Sequence, residues 1–217
     1  MLLTATACLL GFANGMRHAL EPDHLAAVST LVAGKRSATA SVRYAAAWGA
    51  GHAAMLVVVG GALALLRTRL PDLASDGLEL VVAVVLIGLG VRGLGQAMHA
   101  RAHAREQEHA HEHAEGGGSL TRLPFLVGLV HGLAGSGALA ALVISQLATP
   151  AFAIGFITIY AVGAAAGMAT LAGVLGWPLA RLARTPRFAP VLVGLSAAAS
   201  LLVGVAWAAP ILMRLAA

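Results

Sequence analysis

Six apolar stretches, at residues 2–20, 40–66, 78–98, 123–147, 151–179 and 188–212, take up most of the chain and are separated by short breaks carrying charges, glycines or prolines. A hydrocarbon core about 30 Å thick needs about 20 helical residues to cross it, and a lipid-embedded segment must satisfy its own backbone hydrogen bonds. The expected fold is therefore all-α, a polytopic membrane protein with six transmembrane helices. Composition agrees: of 217 residues, 59% are hydrophobic and 11% charged, against about 25% charged in a typical soluble domain. Those values exclude a soluble globular enzyme, a nucleic-acid-binding domain and a disordered chain. The net charge of +5 then reports which loops face the cytoplasm rather than a nucleic-acid footprint. Cys8 is the single cysteine and can form no internal disulfide, and no basic stretch precedes the first apolar run, which reads as a span rather than a cleaved leader.

The distribution of Lys and Arg orients the spans. One set of loops carries Lys35, Arg36, Arg43, Arg92, Arg101, Arg105, Arg122, Arg181, Arg184 and Arg187, and the opposite side carries Arg67, Arg69 and Arg214. Basic loops stay cytoplasmic. Both termini are expected outside a cell (inner) membrane, with the long middle loop in the cytoplasm.

The two halves repeat. Gly15, His18 and Leu20 align with Gly128, His131 and Leu133 at one constant offset, and Trp48-Gly49-Ala50-Gly51 aligns with Tyr160-Ala161-Val162-Gly163 at an offset one residue shorter. Two units of three spans enter a membrane from opposite sides, which is the inverted-repeat plan of many secondary transporters. The expected organisation is a first three-helix repeat at 1–98, a His-rich cytoplasmic loop at 99–120 and a second three-helix repeat at 121–217.

Ionisable residues inside apolar spans carry the functional signal, because an Asp at a helix centre costs about 2.5 kcal/mol or more unless it finds a partner, a cavity or a cation. His18, Glu21, Asp23, His24, His52 and His131 are such residues. On a straight helix, at about 100° per residue, Asp23 and His24 would point well away from His18. Pro22 removes a backbone N–H and clashes with the preceding turn, so the helix is expected to break there, bringing His18, Asp23 and His24 onto one cavity. Imidazoles with one carboxylate suit Ni, Co, Zn or Cu better than Mg or Ca. The competing reading is a proline-kinked helix whose polar residues pair only with each other, Arg17 with Glu21 or Asp23 for example. His52, among small neighbours in Gly49-Ala50-Gly51-His52-Ala53-Ala54, and His131, the repeat partner of His18, complete the expected metal set. Glu21 and Ser136 are secondary candidates, Glu21 at a vestibule and Ser136 as a weak oxygen ligand. Met16, Met55 and Met168 could be soft ligands, although Met in an apolar helix is usually filler.

The middle loop holds His99, His103, His109, His111 and His113 with Glu106, Glu108, Glu112 and Glu115, ahead of Gly116-Gly117-Gly118. Alternating imidazoles chelate divalent transition metals loosely, which suggests loading, buffering or sensing; a solvated charged linker is the plainer alternative.

The run Arg17-His18-Ala19-Leu20-Glu21-Pro22-Asp23-His24-Leu25 resembles the signature helix of the nickel/cobalt permease (NiCoT, NicO) superfamily. Trp48 to His52 resembles that superfamily's second Gly-His-containing helix, and 127–137 is similar to the six-span branch of urease-accessory-type membrane proteins. The resemblance implies a helical permease with no cofactor, moving Ni²⁺ or Co²⁺ as substrate, with His18, Asp23, His24 and His52 in recognition. It also implies the lipid bilayer and intracellular metallochaperones as partners, no nucleic acid, and an oligomeric state left open. Eight-span members carry further acidic motifs in the second half, where this chain has Ser136 and Gly137. Export by the same fold stays open, since His-rich cytoplasmic loops occur in exporters of the family.

Uptake needs no nucleotide: an inside-negative potential of 100 mV is worth about 4.6 kcal/mol on a divalent cation, and the chain has no phosphate-binding glycine loop followed by Lys and Ser or Thr. Proton exchange through Asp23 or a histidine would instead permit export. Two readings of other classes compete. One is a haem-binding electron-transfer membrane protein using the intramembrane histidines. The other is an intramembrane serine hydrolase using Ser136 with His131 or His52, for which that half offers no acidic orienter. The chain has no His-Glu-x-x-His zinc-protease motif. The expectation is a transporter, not an enzyme.

Overall fold

The computed structural model describes residues 2–33, 37–103, 119–146, 149–183, 185 and 188–216, and every regular element among them is helical. In chain order these are α1 (Leu2–His18), α2 (Pro22–Val32), α3 (Ala38–Met55), a π-helical turn (Leu56–Gly60), α4 (Gly61–Leu66), α5 (Asp72–His103), α6 (Ser119–Gln146), α7 (Pro150–Ala183) and α8 (Ala189–Ala216). The π turn joins α3 to α4 without interrupting the rod. Four helical segments, Thr39–Leu66, Asp72–His99, Pro150–Leu179 and Ala189–Ala216, are long and apolar enough to cross a membrane, and Arg122–Gly135 in α6 is a shorter apolar stretch.

The expected break at Pro22 is present and sets the length of α1. The helix ends at His18, Glu21 adopts an extended backbone (φ −63°, ψ 147°), and Pro22 opens α2 at a position whose N–H would have no helical partner. Leu20 and Glu21 donate their N–H groups to the carbonyls of Arg17 and His18, which closes the end of α1. The sequence reading treated 2–20 as one span and gave 22–32 no helix of its own. Pro22 excludes helix only behind it, so the following apolar residues start a new one.

The helices pair as α1 with α7, α3 with α6, and α5 with α8. Small residues make the first two pairings close. A Cβ on Gly15 would overlap the carbonyl oxygen of Tyr160, and one on Gly163 would overlap that of Phe12. Across the other pair, a Cβ on Gly128 would overlap the Trp48 carbonyl oxygen, and one on Gly51 that of Phe125. Backbone thus meets backbone, as in close-packed membrane helices. Polar contacts hold the third pair and α2: Ser200 Oγ donates to the Leu86 carbonyl at 2.9 Å, and Thr30 Oγ1 donates to the Ser196 carbonyl at 3.0 Å.

The buried core is rich in alanine, with Ala19, Ala26, Ala27, Ala45, Ala164 and Ala172 packed around Trp48, Leu86 and Met168. Met168 is fully buried in that core. The outside is apolar as well, with Leu9, Val58, Leu65, Val84, Val174, Leu195 and Leu202 all more than half exposed. A water-soluble protein rarely exposes so continuous an apolar surface. The arrangement is compatible with a membrane protein.

Candidate metal centre

Four histidines and one aspartate converge where the paired helices cross. His18 ends α1, Asp23 and His24 open α2, His52 lies midway along the rod 38–66, and His131 lies near the middle of α6. His24, His52 and His131 are buried, and the Asp23 side chain is 13% exposed. The rings are stacked closely: centroids of His24 lie 4.4 Å from His18, 5.0 Å from His52 and 5.1 Å from His131, with His18 to His52 at 5.2 Å.

Close packing explains how residues so far apart in sequence meet. Gly132 lies against the His52 backbone, so its missing Cβ lets α6 bring His131 beside α3. The three-residue break between α1 and α2 turns Asp23 and His24 back toward His18. Cations and partial positive charges are favoured at a helix C-terminus, where His18 sits, and Asp23 occupies the first turn of α2, where a carboxylate is favoured.

Two carboxylates fix the rings. Asp23 Oδ1 accepts from His24 Nδ1 at 2.9 Å, and Glu21 Oε1 accepts from His18 Nδ1 at 2.9 Å. Asp23 Oδ2 lies 3.5 Å from His131 Nε2, an ion-pair distance longer than a well-formed hydrogen bond. With their protons committed at Nδ1, His18 and His24 keep Nε2 as a lone-pair donor. Those two nitrogens, together with both ring nitrogens of His52 and both of His131, are buried without a hydrogen-bond partner. Buried polar atoms are nearly always paired; each neutral ring offers one lone pair, and four such lone pairs together call for a ligand that accepts them, while one N–H each on His52 and His131 and the Trp48 Nε1–H are left without an acceptor. A carboxylate behind a ligating imidazole is also the usual support of a metal-bound histidine. The donor atoms of His18, His24 and His52 lie within 4.8 Å of one another, as do those of Asp23, His24 and His131.

All five primary candidates therefore meet. Among the described residues Asp23 pairs with histidines, and Glu21 with His18, rather than with Arg17. Glu21 is half exposed beside the buried cluster, the position expected of a vestibule. Ser136 lies in α6, but its side chain is outside the described residues, as are those of His103, His109, His111 and His113. His99 is exposed on α5, where its Nδ1 contacts the Gly95 carbonyl at 2.8 Å, away from the cluster. Sequence reasoning used Trp48 only to align the repeats, yet it walls the site, fully buried with its ring 5.5 Å from His24 and 5.6 Å from His131. Its repeat partner Tyr160 stands 5.6 Å from His18. The alignment that paired Trp48 with Tyr160 and His18 with His131 contained that signal.

No family model matches the chain, and no solved structure matches it. The urease accessory protein UreH of Bacillus sp. (strain TB-90) is similar to it, 28% identical over 182 residues that cover 82% of this chain and 79% of that protein. The similarity is consistent with the family resemblance of residues 17–25.

Proposed function

We propose that the chain is a membrane permease that moves a divalent transition-metal cation, Ni²⁺ or Co²⁺, through the His18/Asp23/His24/His52/His131 cluster. The observation that carries this reading is the set of orphaned imidazole nitrogens beside a carboxylate, buried among apolar helices. Such a donor set binds borderline cations. Ring centroids 4.4 to 5.2 Å apart leave no slot for a flat macrocycle, which removes the support for a haem reading. The name of the similar urease accessory protein agrees with an accessory rather than a catalytic role.

In this reading α1 with α2 forms the first span, the rod 38–66 the second, α5 the third, and α6, α7 and α8 the remaining three, as two inverted repeats. The reciprocal contacts favour it: Gly15 against Tyr160 answers Gly128 against Trp48, and Gly163 against Phe12 answers Gly51 against Phe125. Both termini lie outside, and the His-rich segment faces the cytoplasm, where metallochaperones would take the delivered ion. The dehydrated cation replaces its water with imidazole and carboxylate donors at the midplane and leaves to the other side when the repeats rock against each other. Uptake runs down the membrane potential; export would require proton exchange.

The test is radioactive Ni²⁺ flux into proteoliposomes with Co²⁺, Zn²⁺ and Mn²⁺ as competitors. Parent protein should accumulate Ni²⁺, Co²⁺ should compete best, and His18→Ala, Asp23→Ala and His24→Ala should each abolish accumulation while remaining folded. Parent-level uptake by any of the three would remove the assignment.

A further inference from the structure

Among the described residues the donors fall into two triads rather than one set of five: His18, His24 and His52 form one, and Asp23, His24 and His131 form the other. Only His24 belongs to both. We propose that these are two successive ion stations, with His24 handing the cation from one to the other, an inference that rests on the permease reading and specifies how its site works.

Three features separate the stations. The first lies beside the half-exposed Glu21, whose carboxylate contacts His18, so it is the one that meets the outside of the protein. The second lies away from Glu21 and against Trp48, whose ring is 5.6 Å from His131; there the His131 side chain is 1% exposed and that of Asp23 13%. Their chemistry also differs: the first offers three neutral imidazoles, the second two imidazoles and a carboxylate whose charge offsets part of the cation's.

The ring chemistry of His24 makes occupancy exclusive. A neutral imidazole has one N–H and one lone pair. With the proton on Nδ1, donated to Asp23 Oδ1 as the 2.9 Å contact has it, the Nε2 lone pair serves the first station and Asp23 only supports the ring. When the cation takes Asp23, the Nδ1–H···Oδ1 contact breaks and the ring turns with its proton still on Nδ1, so that the same Nε2 lone pair swings to the second station. The ring keeps one proton throughout, and Asp23 changes from supporting the histidine to binding the ion. One lone pair binds one cation, so one ion occupies the pair of stations at a time.

The experiment uses the full-length chain in detergent, with His99→Gln, His103→Gln, His109→Gln, His111→Gln and His113→Gln to silence the loop, and Co²⁺ alone as probe. X-ray absorption counts imidazoles, equilibrium binding gives stoichiometry, and proteoliposomes give flux. The His131→Asn variant should hold one Co²⁺ through three imidazoles, and His52→Asn should hold one through two imidazoles and a carboxylate. Both should bind within about tenfold of the parent, less than the roughly 10–100-fold that loss of an outer-shell partner can cost, yet lose Co²⁺ flux by at least about tenfold. The His24→Asn variant, which removes the shared donor, should lose binding. If His52→Asn and His131→Asn abolish binding as fully as His24→Asn, one joint site replaces the two stations. Should the variants misfold, the parent spectrum decides: four imidazoles on one Co²⁺ overturns the proposal, and two or three support it. A parent that binds Co²⁺ in this pattern but passes no ion sinks the permease reading and leaves the two stations standing.

Discussion

Replacing Gly128 by alanine tests whether backbone contact between α3 and α6 builds the metal centre. The new carbon would overlap the Trp48 carbonyl oxygen and stand 2.9 Å from the Trp48 carbonyl carbon and 3.0 Å from the His52 amide nitrogen. None of these atoms is the end of a flexible side chain, so relief requires moving α6 off α3, by about 1 Å if ordinary contact distances are to return. Overpacking of this kind costs about 1–3 kcal/mol. Alanine also gains about 0.8–1 kcal/mol of helix propensity over glycine, and that gain has to be removed from the comparison. Gly155, in α7, supplies the control, since a Cβ there meets nothing within 4 Å. The propensity gain is common to both variants, so the difference between Gly128→Ala and Gly155→Ala isolates the packing cost at about 1–3 kcal/mol. Reversible unfolding in mixed micelles measures it. The same displacement carries His131, one turn along α6, away from His24 and His52, while metal–ligand distances tolerate only about 0.2 Å. Ni²⁺ flux should therefore fall in Gly128→Ala and not in Gly155→Ala, while Ni²⁺ affinity stays within about tenfold, since His18, His24 and His52 do not depend on α6. If Gly128→Ala unfolds like Gly155→Ala and keeps the parent Ni²⁺ flux, close packing does not position the site and the reasoning fails.

Other outcomes follow from the same contacts. Asp23→Asn preserves shape but deletes the carboxylate that supports His24 in the first proposed station and would bind the ion in the second; loss of such a supporting partner costs about 10–100-fold, so Ni²⁺ affinity measured by equilibrium dialysis should drop by about that factor. An unchanged Kd would show that the carboxylate does not face the ion. Ser200→Ala removes the buried hydrogen bond between α8 and α5 and should cost about 0.6–1.7 kcal/mol by the same unfolding assay, with Ni²⁺ flux unaffected because the contact lies outside the cluster. Deleting residues 103–115 should alter the apparent metal affinity but leave transport intact; complete loss of flux would count against a loading or buffering role for that segment.

Much of the centre was legible because its signals are local or repeated. The cost of burying Asp23 and His24, and the backbone consequence of Pro22, are properties of a few adjacent residues, and both are visible in a linear chain. The alignment of Gly15 with Gly128 and of Trp48 with Tyr160 extended that reach, since the aligned glycines face aligned neighbours: Gly15 meets Tyr160 and Gly128 meets Trp48. Other features depend on the partner helix, which composition does not name. Helix α2 escaped notice because the apolar residues after Pro22 are too few to read as a span, and packing against α8, α7, α3 and α5 gives them a place. The π turn at Leu56–Gly60 lies in a run of Leu, Val and Gly that carries no distinguishing residue.

Trp48 is the most instructive omission. Its value as a wall of the site comes from the backbone of α3, which Gly128 and Gly132 allow α6 to touch at Trp48 and at His52 respectively. The five residues 48–52 of α3 therefore supply a candidate ligand, a wall and the carbonyls against which α6 is seated. Function and packing occupy one segment here. A change meant to loosen the helices will move donor atoms, and a change meant to alter the donors will leave an uncompensated buried nitrogen in the tightest part of the fold. That coupling explains why small residues cluster around the histidines. Glycine brings the backbones close enough for short imidazole side chains from separate helices to converge, with ring centroids 4.4 to 5.2 Å apart.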